Sequence, residues 1–149
     1  MQEYITESLT GTTYDISNVI YERYREEYVC TSTNMKEWYE YRNNRWNRDE
    51  GGIRLKRRMN EEIVEIYEKE IEKETEEGRR EKMREIINKL KEMTNKKEIM
   101  RECEIMFYDG EWKGKLDTKE MLINFENGTY DLEKKEFRKG RREDGISMT

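Results

Sequence analysis

The chain contains no proline and no histidine, and only two cysteines in 149 residues. Without histidine, Ser/His/Asp and Cys/His nucleophilic sites are excluded. Cys30 and Cys103 stand alone, half the donor set that a tetrahedral zinc site requires, so no metal site is expected. They read as reduced thiols of an intracellular protein. There is no apolar run of about 18 residues and no signal-like segment, which points away from membrane insertion or secretion. A Gly-x-x-x-x-Gly-Lys-Ser/Thr loop is missing, and with it any recognisable cradle for ATP phosphates. The paired Asp-x-Asp carboxylates of a two-metal nuclease or primase site are missing too. This chain is therefore expected to be non-catalytic and to hold no cofactor.

Apolar residues are also scarce, at 33% of the chain against roughly 45–50% in globular proteins. Charge fills the space: 44% of residues are charged, yet 35 acidic against 30 basic side chains leave a net of only −5. Mixed charges at helical spacing describe solvated helix faces rather than disorder. Bulk charge does not favour nucleic acid; only local patches can.

The apolar periodicity predicts a mainly helical α+β fold with about four helices, a small aromatic β-meander and a C-terminal β-hairpin, in one domain. Residues 1–11 are polar and expected to fray. Thr12 or Thr13 caps a helix carrying Ile16, Val19, Ile20, Tyr24 and Tyr28 on one face. Val29–Thr33, Trp38–Tyr41 and Arg45–Trp46 read as three short strands, turning at Asn43–Asn44 and closing at a loop over Asp49–Gly52. Ile53 to about Glu77 is the longest helical run, with Leu55, Met59, Ile63, Ile66, Tyr67 and Ile71 in one stripe and Gly78 as a breaker that either ends it or merely interrupts it. Met83, Ile86, Ile87, Leu90 and Met93 mark the next helix. Asn95 with Glu98 suggests a capping box before Ile99, Met100, Cys103 and Phe107. Leu122–Phe125 and Thr129–Leu132 then face each other across Glu126-Asn127-Gly128, where Asn-Gly offers positive φ for a tight turn. Residues 133–149 form a basic tail that stops as if cut.

The last thirty-five residues carry a family resemblance. Leu122, Ile123, Asn124, Phe125, Asn127, Gly128, Tyr130, Asp131, Leu132, Phe137, Arg138, Asp144, Ile146 and Ser147 match a pattern found just upstream of the motor in primase–helicases of poxviruses and other large DNA viruses. Thr129 stands where Val is usual, and Gly145 where an aromatic is usual. The run Trp38 to Trp46 resembles that family's Trp-Tyr-x-Phe-x-x-His-x-Trp stretch, with Asn44 in place of the His. The resemblance implies an accessory domain between primase and a hexameric superfamily-three ATPase, the ATP and Mg²⁺ belonging to that motor rather than to this chain. It implies partners in DNA, in the following ATPase domain and in like subunits, during viral replication in the host cytoplasm or nucleus. A stand-alone helical protein-interaction module is the other reading of the same residues.

Two basic stretches are candidate nucleic-acid contacts. The first holds Arg42, Arg45, Arg48, Arg57 and Arg58 beside Trp46, since backbone neutralisation and base stacking need clustered cations near aromatics. The second holds Arg138, Lys139, Arg141 and Arg142. Trp38, Tyr41 and Trp46 are expected to build the meander, with Trp46 more suited to packing on Ile53, Leu55 and Met59 than to stacking on bases. Phe125, Asn127, Gly128, Tyr130, Asp131 and Leu132 are expected to build the hairpin.

Overall fold

A computed structural model describes residues 1–147 except Glu120 and Glu126. The fold is mainly helical α+β, as the periodicity predicts. It divides into two compact units, each assembled from two separate lengths of chain, where the sequence suggested one domain.

The helical unit comprises Met1–Arg25 and Ile53–Phe107. Helix α1 (Gln2–Ser8) replaces the frayed terminus expected there. Its anchors are Ile5, 1% exposed, and the Ser8 hydroxyl, 2.6 Å from the Tyr67 hydroxyl. Helix α2 (Thr13–Tyr24) starts where the sequence placed it, with Thr12 Oγ1 accepting the Asp15 N–H at 3.2 Å. Its buried row ends at Tyr24, because Tyr28 already belongs to a strand.

Helix α3 (Ile53–Arg58) runs through a π-helical turn at Met59–Ile63 into α4 (Val64–Lys73). Leu55, Met59, Ile63 and Tyr67 recur every four residues, and all four are fully buried. A four-residue repeat drifts ahead of a helix of about 3.6 residues per turn. The wider π turn takes up that drift and returns the row to one face.

Gly78 does not stop this helix. The break falls at Glu74, whose ψ of 132° is extended, and Gly78 lies in the first turn of α5 (Glu77–Lys91). Helix α6 (Met93–Met106) follows after the single extended residue Glu92, so Asn95 is inside the helix and the expected capping box is not its start. Helices α2 and α6 are joined by the edge-on pair Tyr21–Phe107, centroids 4.9 Å apart, and by the Ser17 hydroxyl donating to the Ile99 carbonyl. Cys103 lies buried between them, and burial pushes its thiol pKa up to about 12. No helix of the described residues is long and apolar enough to cross a membrane.

The second unit comprises Glu26–Gly52 and Tyr108–Thr149. Strands β1 (Tyr28–Ser32), β2 (Glu37–Arg42) and β3 (Arg45–Glu50) form the antiparallel meander read from the sequence. The β2–β3 turn consists of Asn43 and Asn44 at φ 56° and 65°, the left-handed pair of a tight hairpin. β3 extends through Asp49 and Glu50, shortening the expected loop to Gly51–Gly52. Strands β4 (Leu122–Phe125), β5 (Gly128–Asp131) and β6 (Glu136–Arg138) form a second meander rather than a lone hairpin with a tail. A 3-10 turn at Trp112–Lys115 precedes it, and another at Arg142–Asp144 follows.

The turn between β4 and β5 includes Glu126, outside the described residues. Phe125 pairs with Gly128, so Gly128 belongs to β5 rather than to the expected Asn127-Gly128 turn. Gly128 is not at positive φ. Its requirement is space: a Cβ there would lie 2.5 Å from the Arg138 carbonyl and 2.7 Å from the Phe137 ring. Leu132 lies just past the strand and is exposed.

Candidate nucleic-acid interface

The geometry of the second unit begins at Trp46, which is 1% exposed. Its ring meets Trp112 edge-on at 4.8 Å and Tyr41 at 5.4 Å, while Tyr39 lies 5.0 Å from Trp112. Val29 and Leu116 complete the cluster. Trp46 is thus core, as expected, but its partners come from its own sheet and from the Trp112 turn, not from the Ile53–Met59 stripe. Trp38 is also fully buried. Neither indole is a surface on which a base can stack.

Trp46 also fastens the end of the chain to β3. Its indole N–H donates to the Arg142 carbonyl at 2.9 Å, and its backbone N–H to the Ile146 carbonyl at 2.6 Å. Beside it, Gly140 sits so close to the Asn43–Asn44 turn that a Cβ would lie 2.6 Å from the Asn44 Cβ. The position expected to hold a tail aromatic, Gly145, has φ +62°, a left-handed turn that a side chain would strain. Part of the first basic stretch therefore meets the second: Arg42 and Arg45 flank the turn against which the segment around Gly140 is laid.

Several of those cations are already committed to carboxylates. Arg138 grips Asp144 with two nitrogens at 2.8 and 2.9 Å, their side chains 15% and 6% exposed. Burial pushes the Asp144 carboxyl up, but the Arg138 hydrogen bond and the Arg141 backbone N–H hold it below the usual range. Arg138 is a structural cation, which removes it from the candidate contacts. Arg142 donates to the Glu26 carbonyl and pairs with its carboxylate at 3.1 Å, 5.8 Å above the Trp46 ring. Arg42 pairs with the buried Glu40 at 3.1 Å, and Glu40 also accepts the Tyr28 hydroxyl. Arg48 lies 3.6 Å from Glu37, a carboxyl held low by the Thr31 hydroxyl, Lys113 and Arg48. Lys139 and Arg141 are exposed.

Arg57 and Arg58 belong to the helical unit, and Arg42, Arg45 and Arg48 to the other. Arg58 binds Glu62 at 2.7 Å and lies 4.6 Å from the centre of the Tyr24 ring, whose hydroxyl also reaches Glu62. That arrangement lowers the Glu62 pKa through the Arg58 hydrogen bond first. Arg57 is exposed on its helix.

Three cations on this unit escaped the sequence reading: Lys113, Lys115 and Lys119. They follow Trp112 in the chain, and the signal that could have found them is the Trp-Lys-Gly-Lys run at 112–115. Lys113 pairs with Glu37 at 3.2 Å, while Lys119 donates to the Glu143 carbonyl at 2.6 Å.

The second sheet is inverted relative to an ordinary one. Ile123, Tyr130 and Phe137 stand in one cross-strand row, with Phe125 6.0 Å from Phe137. Ile123, Phe125 and Phe137 are 44%, 49% and 51% exposed. The covered face holds polar residues instead: Thr129 at 0% and Asp131 at 9%. Thr129 donates to Asn124 at 3.2 Å, giving its hydroxyl a partner at the position where the related pattern has Val. Asp131 accepts the N–H groups of Glu133 and Lys134 and so shapes the β5–β6 turn.

A sequence profile described as D5 N terminal like matches residues 17–148. A helicase-named protein of Acanthamoeba polyphaga mimivirus is 31% identical over 157 residues, covering 97% of this chain and 16% of that protein. A helicase-named protein of Invertebrate iridescent virus 3 is 40% identical over 63 residues, covering 42% of this chain and 7% of that protein. The chain thus spans about a sixth or less of the relatives it matches. With nearly nine-tenths of its length inside the profile, the chain belongs to the D5 N-terminal-like family of viral helicase-type proteins.

Proposed function

We propose that this chain is the non-catalytic accessory segment of a viral replicative primase–helicase, linking primase to a hexameric ATPase and guiding DNA toward it. The observation that carries the DNA-guiding role is the close approach of Gly140 to the Asn43–Asn44 turn, which brings the exposed Lys139 and Arg141, followed by Arg142, to the strand ends that hold Arg42 and Arg45. Sequence-remote cations on one ridge can neutralise successive phosphates without any catalytic group nearby. Because acidic residues outnumber basic ones in the whole chain, isolated binding is weak, in the range of about 10⁻⁴–10⁻⁶ M usual for non-specific contacts. Assembly of several copies multiplies such contacts by avidity, which suits guidance without gripping.

The outward row Ile123–Tyr130–Phe137 with Phe125 supports the assembly half of the reading. Contiguous exposed aromatics mark protein-contact surfaces more often than bare solvent faces, and like subunits or the ATPase domain are the partners this role supplies.

The test is fluorescence anisotropy with a labelled single strand, titrated between about 50 and 200 mM salt. Affinity falling steeply with salt is expected. Absence of binding at the lowest salt removes DNA guidance and leaves a scaffold for subunit contacts.

A further inference from the structure

Beside the basic edge lies a recess of about 510 Å³ that the sequence did not reveal. Trp112 and Leu116, both half-buried, give it an apolar floor. Lys115, Lys119 and Arg142 stand around it. We propose that this recess takes one nucleobase of a single-stranded nucleic acid against Trp112, with Lys115 and Lys119 on the flanking phosphates. The proposal deepens the DNA-guiding reading and rests on it.

Four features point to this ligand. The volume falls within the range of pockets that hold small ligands, about 300–1,000 Å³, and suits a base with its sugar. Trp112 is held by Trp46, its ring edge-on at 4.8 Å, and by Tyr39 at 5.0 Å. A ring held in this way loses little freedom when a base arrives. Stacking on an aromatic tolerates any base, as a strand-guiding surface requires. Finally, Arg142 belongs both to the recess and to the basic edge, so a backbone crossing Lys139 and Arg141 continues into it. Among the described residues lining the recess the acidic side chain is Glu143, which lies 3.7 Å from Arg142 in an ion pair.

The experiment compares this chain binding a short oligothymidylate and the same backbone with abasic sugars, read by anisotropy and by tryptophan fluorescence. The base-bearing strand is expected to bind roughly five- to hundredfold tighter, the span of one stacked base, and to quench tryptophan emission. Lys115→Glu with Lys119→Glu, at exposed side chains, is expected to weaken both strands, and Lys119→Gln, measured beside it, controls for the loss of the bond to the Glu143 carbonyl. Equal binding of the two strands overturns the recess as a base site while DNA guidance stands. Unaltered binding by the double lysine variant also overturns it. No binding of either strand at low salt overturns DNA guidance and the recess together. Thymidine monophosphate displacing the strand at comparable concentration overturns the strand in favour of a free nucleotide.

Discussion

The indole N–H of Trp46 donates to the carbonyl of Arg142, 2.9 Å away and 96 residues further along the chain. This bond joins β3 to the loop after β6, and with the Gly140–Asn44 approach it places Arg42 and Arg45 beside residues 139–142. Trp46→Ala is expected to cost about 3–5 kcal/mol, the usual loss for a large buried aromatic. Trp46→Phe keeps most of the apolar contact but leaves the Arg142 carbonyl without this donor, at about 1–3 kcal/mol. Urea titrations followed by circular dichroism measure both. A Phe variant as stable as the wild type would mean that the bond adds nothing.

Gly128 supplies a sharper test of packing, because its demand is for space and not for a special backbone. Gly128→Ala places a Cβ against the Arg138 carbonyl and the Phe137 ring. Backbone cannot yield as a side-chain tip does, so a loss of about 1–3 kcal/mol is expected. Gly128→Val should lose more. A melting temperature unmoved by the Ala change would show that β5 and β6 separate freely.

Much of this architecture was legible in the sequence, and the misreadings have physical causes. Helix α2, the aromatic meander and its Asn43–Asn44 turn follow from capping, alternation and αL preference, all of which are local. The first helix was missed because α1 has only Ile5 as an apolar anchor, and its stability comes from tertiary contact with Tyr67. Helix breaks at Glu74 and Glu92 carry no glycine or proline to announce them. The basic stretches could be named as residues, but not sorted. Only the fold shows that Arg138 and Arg58 are held by Asp144 and Glu62, that Arg57 sits on another unit, and that Trp112 joins Lys115 and Lys119.

The Arg138–Asp144 pair makes stability depend on pH in a defined direction. Asp144 has a folded pKa below its unfolded value of about 3.9. The unfolded chain therefore takes up the proton first as pH falls. The contribution is complete above about pH 5, and is lost as pH drops through the folded value. Asp144→Asn is expected to cost about 1.5–3 kcal/mol at neutral pH, with the gap to wild type closing in acid. Parallel denaturation curves at pH 7 and pH 3 decide it; a constant gap would mean that the charge is immaterial.

On the second sheet, Phe125 and Phe137 are half-exposed, so replacing them should affect association more than folding. Phe125→Ser is expected to change stability by less than about 1 kcal/mol. If like subunits meet through this face, sedimentation velocity should show concentration-dependent association in the wild type and less of it in the variant. Identical profiles would remove self-association through this face.

The last test separates the basic edge from the helical unit. Arg57 is exposed on a helix of the helical unit, whereas Lys139 and Arg141 are exposed beside the Asn43–Asn44 turn of the other. For single strands, each phosphate contact adds about 0.7 to the slope of log affinity against log salt. Lys139→Glu with Arg141→Glu should therefore flatten that slope by about 1.4 as well as weaken binding, because two contacts are lost and two repulsions gained. Arg57→Glu should shift affinity slightly through net charge and leave the slope intact. Neither change touches a buried pair, so melting temperatures serve as controls in the same buffers. Should Arg57→Glu flatten the slope while the edge variant does not, DNA lies on the helical unit. The convergence of the two basic stretches would then serve only the packing of Trp46.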